Sequence, residues 1–88
     1  MRNIRKVNRV IYTTGTGDNS VTCEEVYESD ATAAGRMNEL MNRDITYRHS
    51  DMYEVGANLG VFAGTLVSSL ESAERMAEHK YGEARLVA

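Results

Sequence analysis

Three glycines spaced four apart, Gly56, Gly60 and Gly64, decide what the second half of this chain can become. Around them Met52, Val55, Leu59, Phe62 and Leu66 form an apolar seam at helical spacing that runs on into Leu70, Ala73 and Met76. Asp51 with Glu54 has the form of a capping box at its start. One long helix over about 52–81 would satisfy the seam, with the glycines as a small-residue stripe for close packing. Inside a water-exposed helix, however, three glycines cost roughly 3 kcal/mol, and Val61, Thr65 and Val67 are indifferent helix formers. Such a helix would also extend on the order of 45 Å, long for a chain of this size. With a period of two, Ile45, Tyr47, His49, Tyr53 and Val55 share one face opposite Thr46, Arg48, Ser50 and Glu54. Gly56 to Gly60 then form a turn, and Val61 to Val67 a returning strand. The glycines favour this hairpin; the long helix is the alternative.

The segment Ser68 to Gly82 is helical in both readings. Ser68 and Glu71 fit a capping box, Leu70, Ala73, Met76 and Ala77 fall on one face, and Lys80 sits in the last turn. Gly82 suits a left-handed cap.

In the first half, Val10 to Thr14 is a β-branched and aromatic run that predicts a strand, although Ile4, Val7 and Ile11 also allow a turn of helix at the start. Gly15 to Asn19 has loop chemistry. Val21 to Tyr27 predicts a second strand, with Val21, Cys23 and Tyr27 on one face and Thr22, Glu24 and Val26 on the other; Glu25 interrupts the first face. Ser29 or Asp30 caps a helix to about Asn42, whose apolar positions are Ala31, Ala34, Met37, Leu40 and Met41. Gly35 within it costs roughly 1 kcal/mol against Ala, acceptable if a bare backbone lets the helix lie close on a sheet.

Sliding the chain against itself by 39 residues aligns Arg9 with Arg48, Gly17 with Gly56, Asn19 with Asn58 and Ser29 with Ser68. It also aligns Ala34, Arg36, Met37 and Glu39 with Ala73, Arg75, Met76 and Glu78. A tandem ββα unit, 6–44 and 45–83, would place the matches at a loop, a cap and a helix face. With a closing strand at Ala84 to Val87, the expectation is one α+β domain over 1–88, ordered ββαββαβ, an antiparallel sheet carrying both helices on one face. Part of that order resembles ferredoxin-like folds, a likeness of architecture that implies no function.

Eighty-eight residues, 42% hydrophobic and 26% charged, suit one small globular domain with a modest core, for which a homo-oligomer is a reasonable expectation. No apolar run reaches membrane-spanning length and no signal-peptide pattern follows the basic start, so no membrane partner and a cytoplasmic location are expected. The lone Cys23 excludes an internal disulfide and a multi-thiolate metal site within one chain. It reads as a core thiol. His49 and His79 have no metal spacing; His49 and Asp51, two apart on a strand, would share a face and could bond or titrate together. Gly15-Thr-Gly17 lacks the Lys and helix of a phosphate loop. No catalytic constellation, cofactor site or metal site emerges.

Charge is the remaining functional signal. Residues 1–10 hold four cations and no acid, whereas residues 11–34 hold Asp18, Glu24, Glu25, Glu28 and Asp30 and no cation. Pairing across a hairpin explains this without a partner. The functional expectation is a small non-enzymatic protein that occludes a partner protein's surface, in the manner of short phage or mobile-element proteins, offering those five acids to a basic partner. The first alternative is a nucleic-acid-binding module using Arg2, Arg5, Lys6 and Arg9 with Tyr47 and Arg48, and Arg43 as a further phosphate group. The second is a small-ligand binder with its pocket at a dimer seam.

Overall fold

A computed structural model describes residues 3–57 and 64–86. The elements are β1 (Ile4–Thr14), a short 3-10 turn (Gly17–Asn19), β2 (Val21–Tyr27), α1 (Asp30–Asn42), β3 (Tyr47–Val55), β4 (Thr65–Val67) and α2 (Leu70–Tyr81). The four strands form an antiparallel curled sheet in the order β2-β1-β3-β4, an α+β fold. Hence 52–81 is not one helix: β3 continues to Val55, and β4 pairs back on it with Tyr53 opposite Val67 and Val55 opposite Thr65. Of the expected turn, 58–60 lies outside the described residues, as does 61–63 of the returning strand. β1 is a strand from Ile4, with no helical turn at its start.

By internal contact the chain divides into two compact units, Met1–Val7 with Asp51–Ala88, and Asn8–Ser50. In the contiguous unit, β1 and β2 pair with Val10 opposite Glu25 and Tyr12 opposite Cys23. Directly opposed residues share a sheet face, so Val10, Tyr12, Cys23, Glu25 and Tyr27 lie on one side. Val10, Tyr12 and Leu40 form its core, with Cys23, Tyr27, Met37, Ile45 and Tyr47 packed around it. α1 begins where the Ser29 hydroxyl accepts from the N–H groups of Ala31 (3.2 Å) and Thr32 (3.4 Å). It buries Ala33 and Leu40 and half-buries Met37, while Ala31 and Ala34 are exposed and Met41 is largely so. The buried stripe is therefore rotated from the expected one. A fully buried Leu such as Leu40 contributes roughly 2–3 kcal/mol.

α1 ends in a Schellman motif: the Ile45 N–H donates to the Leu40 carbonyl (2.9 Å) and the Asp44 N–H to that of Met41 (3.0 Å). The left-handed position is held by Asp44, at φ 55°, rather than by glycine.

In the discontinuous unit, Ile4, Val55, Ala73 and Ala77 form the core, with Leu70 and Met76 packed against it, as the spacing predicts. The cap of α2 is Ser69 and not Ser68. Its hydroxyl accepts from the Ser72 N–H (3.2 Å), while Glu71 accepts from Arg75 one turn on (3.2 Å), so no capping box forms. Gly82 takes the left-handed cap at φ 78°. Buried Asn3 ties the end of the described chain to β1. Its side chain donates to the Glu83 carbonyl (2.7 Å) and accepts from the Arg85 N–H (2.7 Å). The closing strand is reduced to a single parallel bridge between Ile4 and Leu86, with Val87 outside the described residues.

The 39-residue repeat is not established by the structure. The two caps, Ser29 and Ser69, differ from that offset by one residue, and β4 has three residues where β2 has seven.

Candidate functional site

The five acids expected to face a partner all fall in the contiguous unit, along β2 and just beyond its two ends, but their surroundings differ. Asp18 is exposed in the 3-10 turn before β2. Glu24 lies on the sheet face opposite α1 and meets Arg9 at 3.1 Å, a pair formed across the hairpin. Glu28 is exposed just after β2. Asp30 is exposed in the first turn of α1 and accepts from the Asn8 amide at 2.9 Å.

Glu25 is the exception. The residue that interrupts the apolar face of β2 lies under α1, where it accepts from the hydroxyls of Tyr12 and Tyr27 (both 2.6 Å) and from Arg36 (2.8 and 3.2 Å). The Arg36 guanidinium also lies 5.4 Å from the centre of the Tyr12 ring. Arg36 beside it holds the Glu25 carboxyl down to about 2, with the two phenols acting in the same direction and burial opposing them. The same carboxylate pushes both phenols above their ordinary value. Four side chains thus join strand to helix, and Glu25 serves the fold, leaving it little capacity for a partner.

The basic set is divided as well. Arg2 lies outside the described residues. Arg5 is 7% exposed and forms a buried ion pair with Glu54, itself 1% exposed. Lys6 meets Asp51 at 3.4 Å and Arg9 meets Glu24. Tyr47 is half-buried on the α1 core, its hydroxyl on the Met41 sulfur at 3.6 Å, and Tyr53 packs on the core of the other unit. His49 bonds Asn8 through Nε2 at 2.9 Å. Cys23 is a half-buried free thiol against the α1 core. Arg43 and Arg48 are exposed, and among the described residues neither guanidinium is joined to a carboxylate.

These two arginines line one open cleft of about 740 Å³. Ile11, Tyr12, Ile45 and Tyr47 also line it, as do Thr13, Thr14, Thr22 and Thr46, the Thr13 and Thr22 hydroxyls lying 3.4 Å apart, and Asp44 sits between the cations in sequence. A second depression of about 300 Å³ shares Ile11 and Arg48 with the first and adds Arg9, His49 and Ser50. Sequence reasoning named Arg43, Tyr47 and Arg48 together as phosphate and stacking groups. It missed that the turn at Asp44 brings them to one cleft, and that Arg36 and two tyrosines enclose Glu25; the one available signal was an acid on an otherwise apolar strand face.

Among the described residues no three His, Cys, Asp or Glu side chains come together as a metal site, and no helix is long and apolar enough to cross a membrane. Comparison with family models, with curated proteins and with solved structures found no match to this chain.

Proposed function

We propose that this is a small non-enzymatic binding protein that occludes a partner protein by pairing β2 with a basic, extended segment of that partner. The observation that carries this reading is the position of β2 at the end of the sheet order, with Glu24 exposed on it and Asp18, Glu28 and Asp30 exposed beyond its ends. An edge strand of seven residues without proline presents backbone donors and acceptors to a neighbouring strand. Exposed Asp18, Glu24, Glu28 and Asp30 supply the sign of the partner; residues 11–34 contain no cation, and a basic partner would share Glu24 with Arg9. A second copy of β2 is a poor occupant. Antiparallel pairing centred on Glu24 would set that residue against its own equivalent, and like charges directly opposite are destabilising. A reducing compartment such as the cytosol suits the free thiol of Cys23.

Amide hydrogen exchange with a seven-residue peptide of alternating arginine and valine tests the reading. Protection should appear in β2, weaken with added salt, and be lost in the double variant Glu24→Lys/Glu28→Lys. Equal protection by the same peptide carrying glutamate in place of arginine, or protection confined to other strands, would overturn it.

A further inference from the structure

The cleft beside Asp44 is separate from the β2 edge in its chemistry, and it calls for an anion. Six cations among the described residues, Arg5, Lys6, Arg9, Arg36, Arg75 and Arg85, each meet a carboxylate. Arg43 and Arg48 meet none among the described residues, and both line the same concavity. Its volume lies within the range of small-molecule sites, roughly 300–1,000 Å³.

The lining narrows the class of anion. A bare phosphate would meet the two guanidiniums but would leave the apolar surface of Ile11, Ile45 and Tyr47 uncovered, and the Asp44 carboxylate would oppose it. The fitting ligand carries a phosphate, hydroxyls for the threonines, a flat body for the apolar surface and N–H donors for Asp44. A nucleotide has all four. Asp44 adds a conformational argument: it holds a left-handed position that glycine would occupy more cheaply, and such departures gather at binding sites.

Arg48 belongs to both depressions, so a group bound there has space for a ligand on either side. We propose that the cleft binds a dinucleotide step of single-stranded nucleic acid, one nucleotide in the larger depression, the next toward His49 and Ser50, and the bridging phosphodiester on Arg48. Guanidinium contact with a phosphodiester is a charge-assisted hydrogen bond, often bidentate, and flat side chains and apolar surface accept any base. Two principal phosphate contacts in a net acidic chain imply weak binding with a shallow salt slope of about −1.4 in log K against log salt.

Fluorescence anisotropy with a labelled six-nucleotide single strand, competed by the unlabelled dinucleotide and mononucleotide, tests this directly. Arg48→Ala should weaken binding roughly tenfold and Arg43→Ala somewhat less, whereas Arg48→Lys should retain most of it and Arg75→Ala, on α2, all of it. The dinucleotide should compete at least tenfold better than the mononucleotide. Asp44→Gly relieves its own backbone, so weaker binding by that variant with an unchanged or raised melting temperature separates a ligand contact from a folding defect. Three results would overturn the proposal: binding unaffected by Arg48→Ala, equal loss in Arg75→Ala, or mononucleotide and dinucleotide competing alike.

Discussion

The two units hold a carboxylate against a guanidinium in opposite ways. In the discontinuous unit Glu54 is 1% exposed and meets Arg5, with the Gly64 N–H donating to its second oxygen at 3.3 Å. In the contiguous unit the Glu25 side chain is 26% exposed and shares Arg36 with two phenols. Burial raises the cost of an unpaired charge far more than it raises the value of the pair, because the desolvation of both groups must be offset first. The buried pair is thus the more fragile to single substitution, while the half-exposed network can let water replace a lost partner.

The sharpest way to break this contrast is Arg5→Met, which keeps much of the side-chain volume and removes the charge. Glu54 is then buried without its counter-ion, and unfolding in urea should show a loss of about 3–5 kcal/mol. The double variant Arg5→Met/Glu54→Leu should recover most of it. If the single substitution proves as mild as Arg36→Met, the contrast fails.

Glu25→Gln should be intermediate, losing about 2 kcal/mol through its bonds to a charged group. Its pH dependence is the finer test. The folded carboxyl titrates near 2 against an ordinary value near 4.5, so its stabilisation is complete above about 4.5 and disappears as pH falls toward 2. Wild-type stability should therefore drop through that window, and the drop should be shallower in Glu25→Gln. Parallel acid profiles would remove Glu25 from the account.

Two glycines of opposite meaning give effects of opposite sign. A Cβ at Gly64 would collide with the Glu54 side chain and the Val55 carbonyl, so Gly64→Ala should cost about 1–3 kcal/mol. A Cβ at Gly35 would meet nothing, so close packing on the sheet is not its role, and Gly35→Ala should stabilise α1 by up to about 1 kcal/mol. Melting curves of the two variants should move in opposite directions.

These particulars mark what could be read from the sequence. β2 and α1 were legible end to end, because β-branched alternation stops where Ser29 and the 3.6-residue period begin. The hairpin reading of 44–67 followed from helix propensity and from the length a single helix would need, although β3 starts only at Tyr47. The α2 cap was legible only to one residue: adjacent serines offer the same chemistry, and the choice between them rests on where β4 ends. Glu54 was hidden because alternation assigns it to a face of Thr46, Arg48 and Ser50, which reads as solvent; its burial depends on Arg5, forty-nine residues away. The Asp44 cleft was hidden for a different reason. Nothing local announces that an aspartate will take the place of a C-terminal glycine, between two arginines that line one cleft.

The clamp at Asn3 sets an order of events. Asn8–Ser50 is continuous, so its strands and helix can meet as soon as those residues leave the ribosome, by closing loops of modest length. The Asn3 side chain, in contrast, finds its partners at Glu83 and Arg85, eighty and eighty-two residues later in synthesis. Contacts of such separation slow folding, and during translation domains tend to form from the N-terminal side. The first residues of β1 therefore settle after the contiguous unit: Arg5 waits for Glu54, and Ile4 lacks its full native surroundings until Ala73 and Ala77 of α2 have been made.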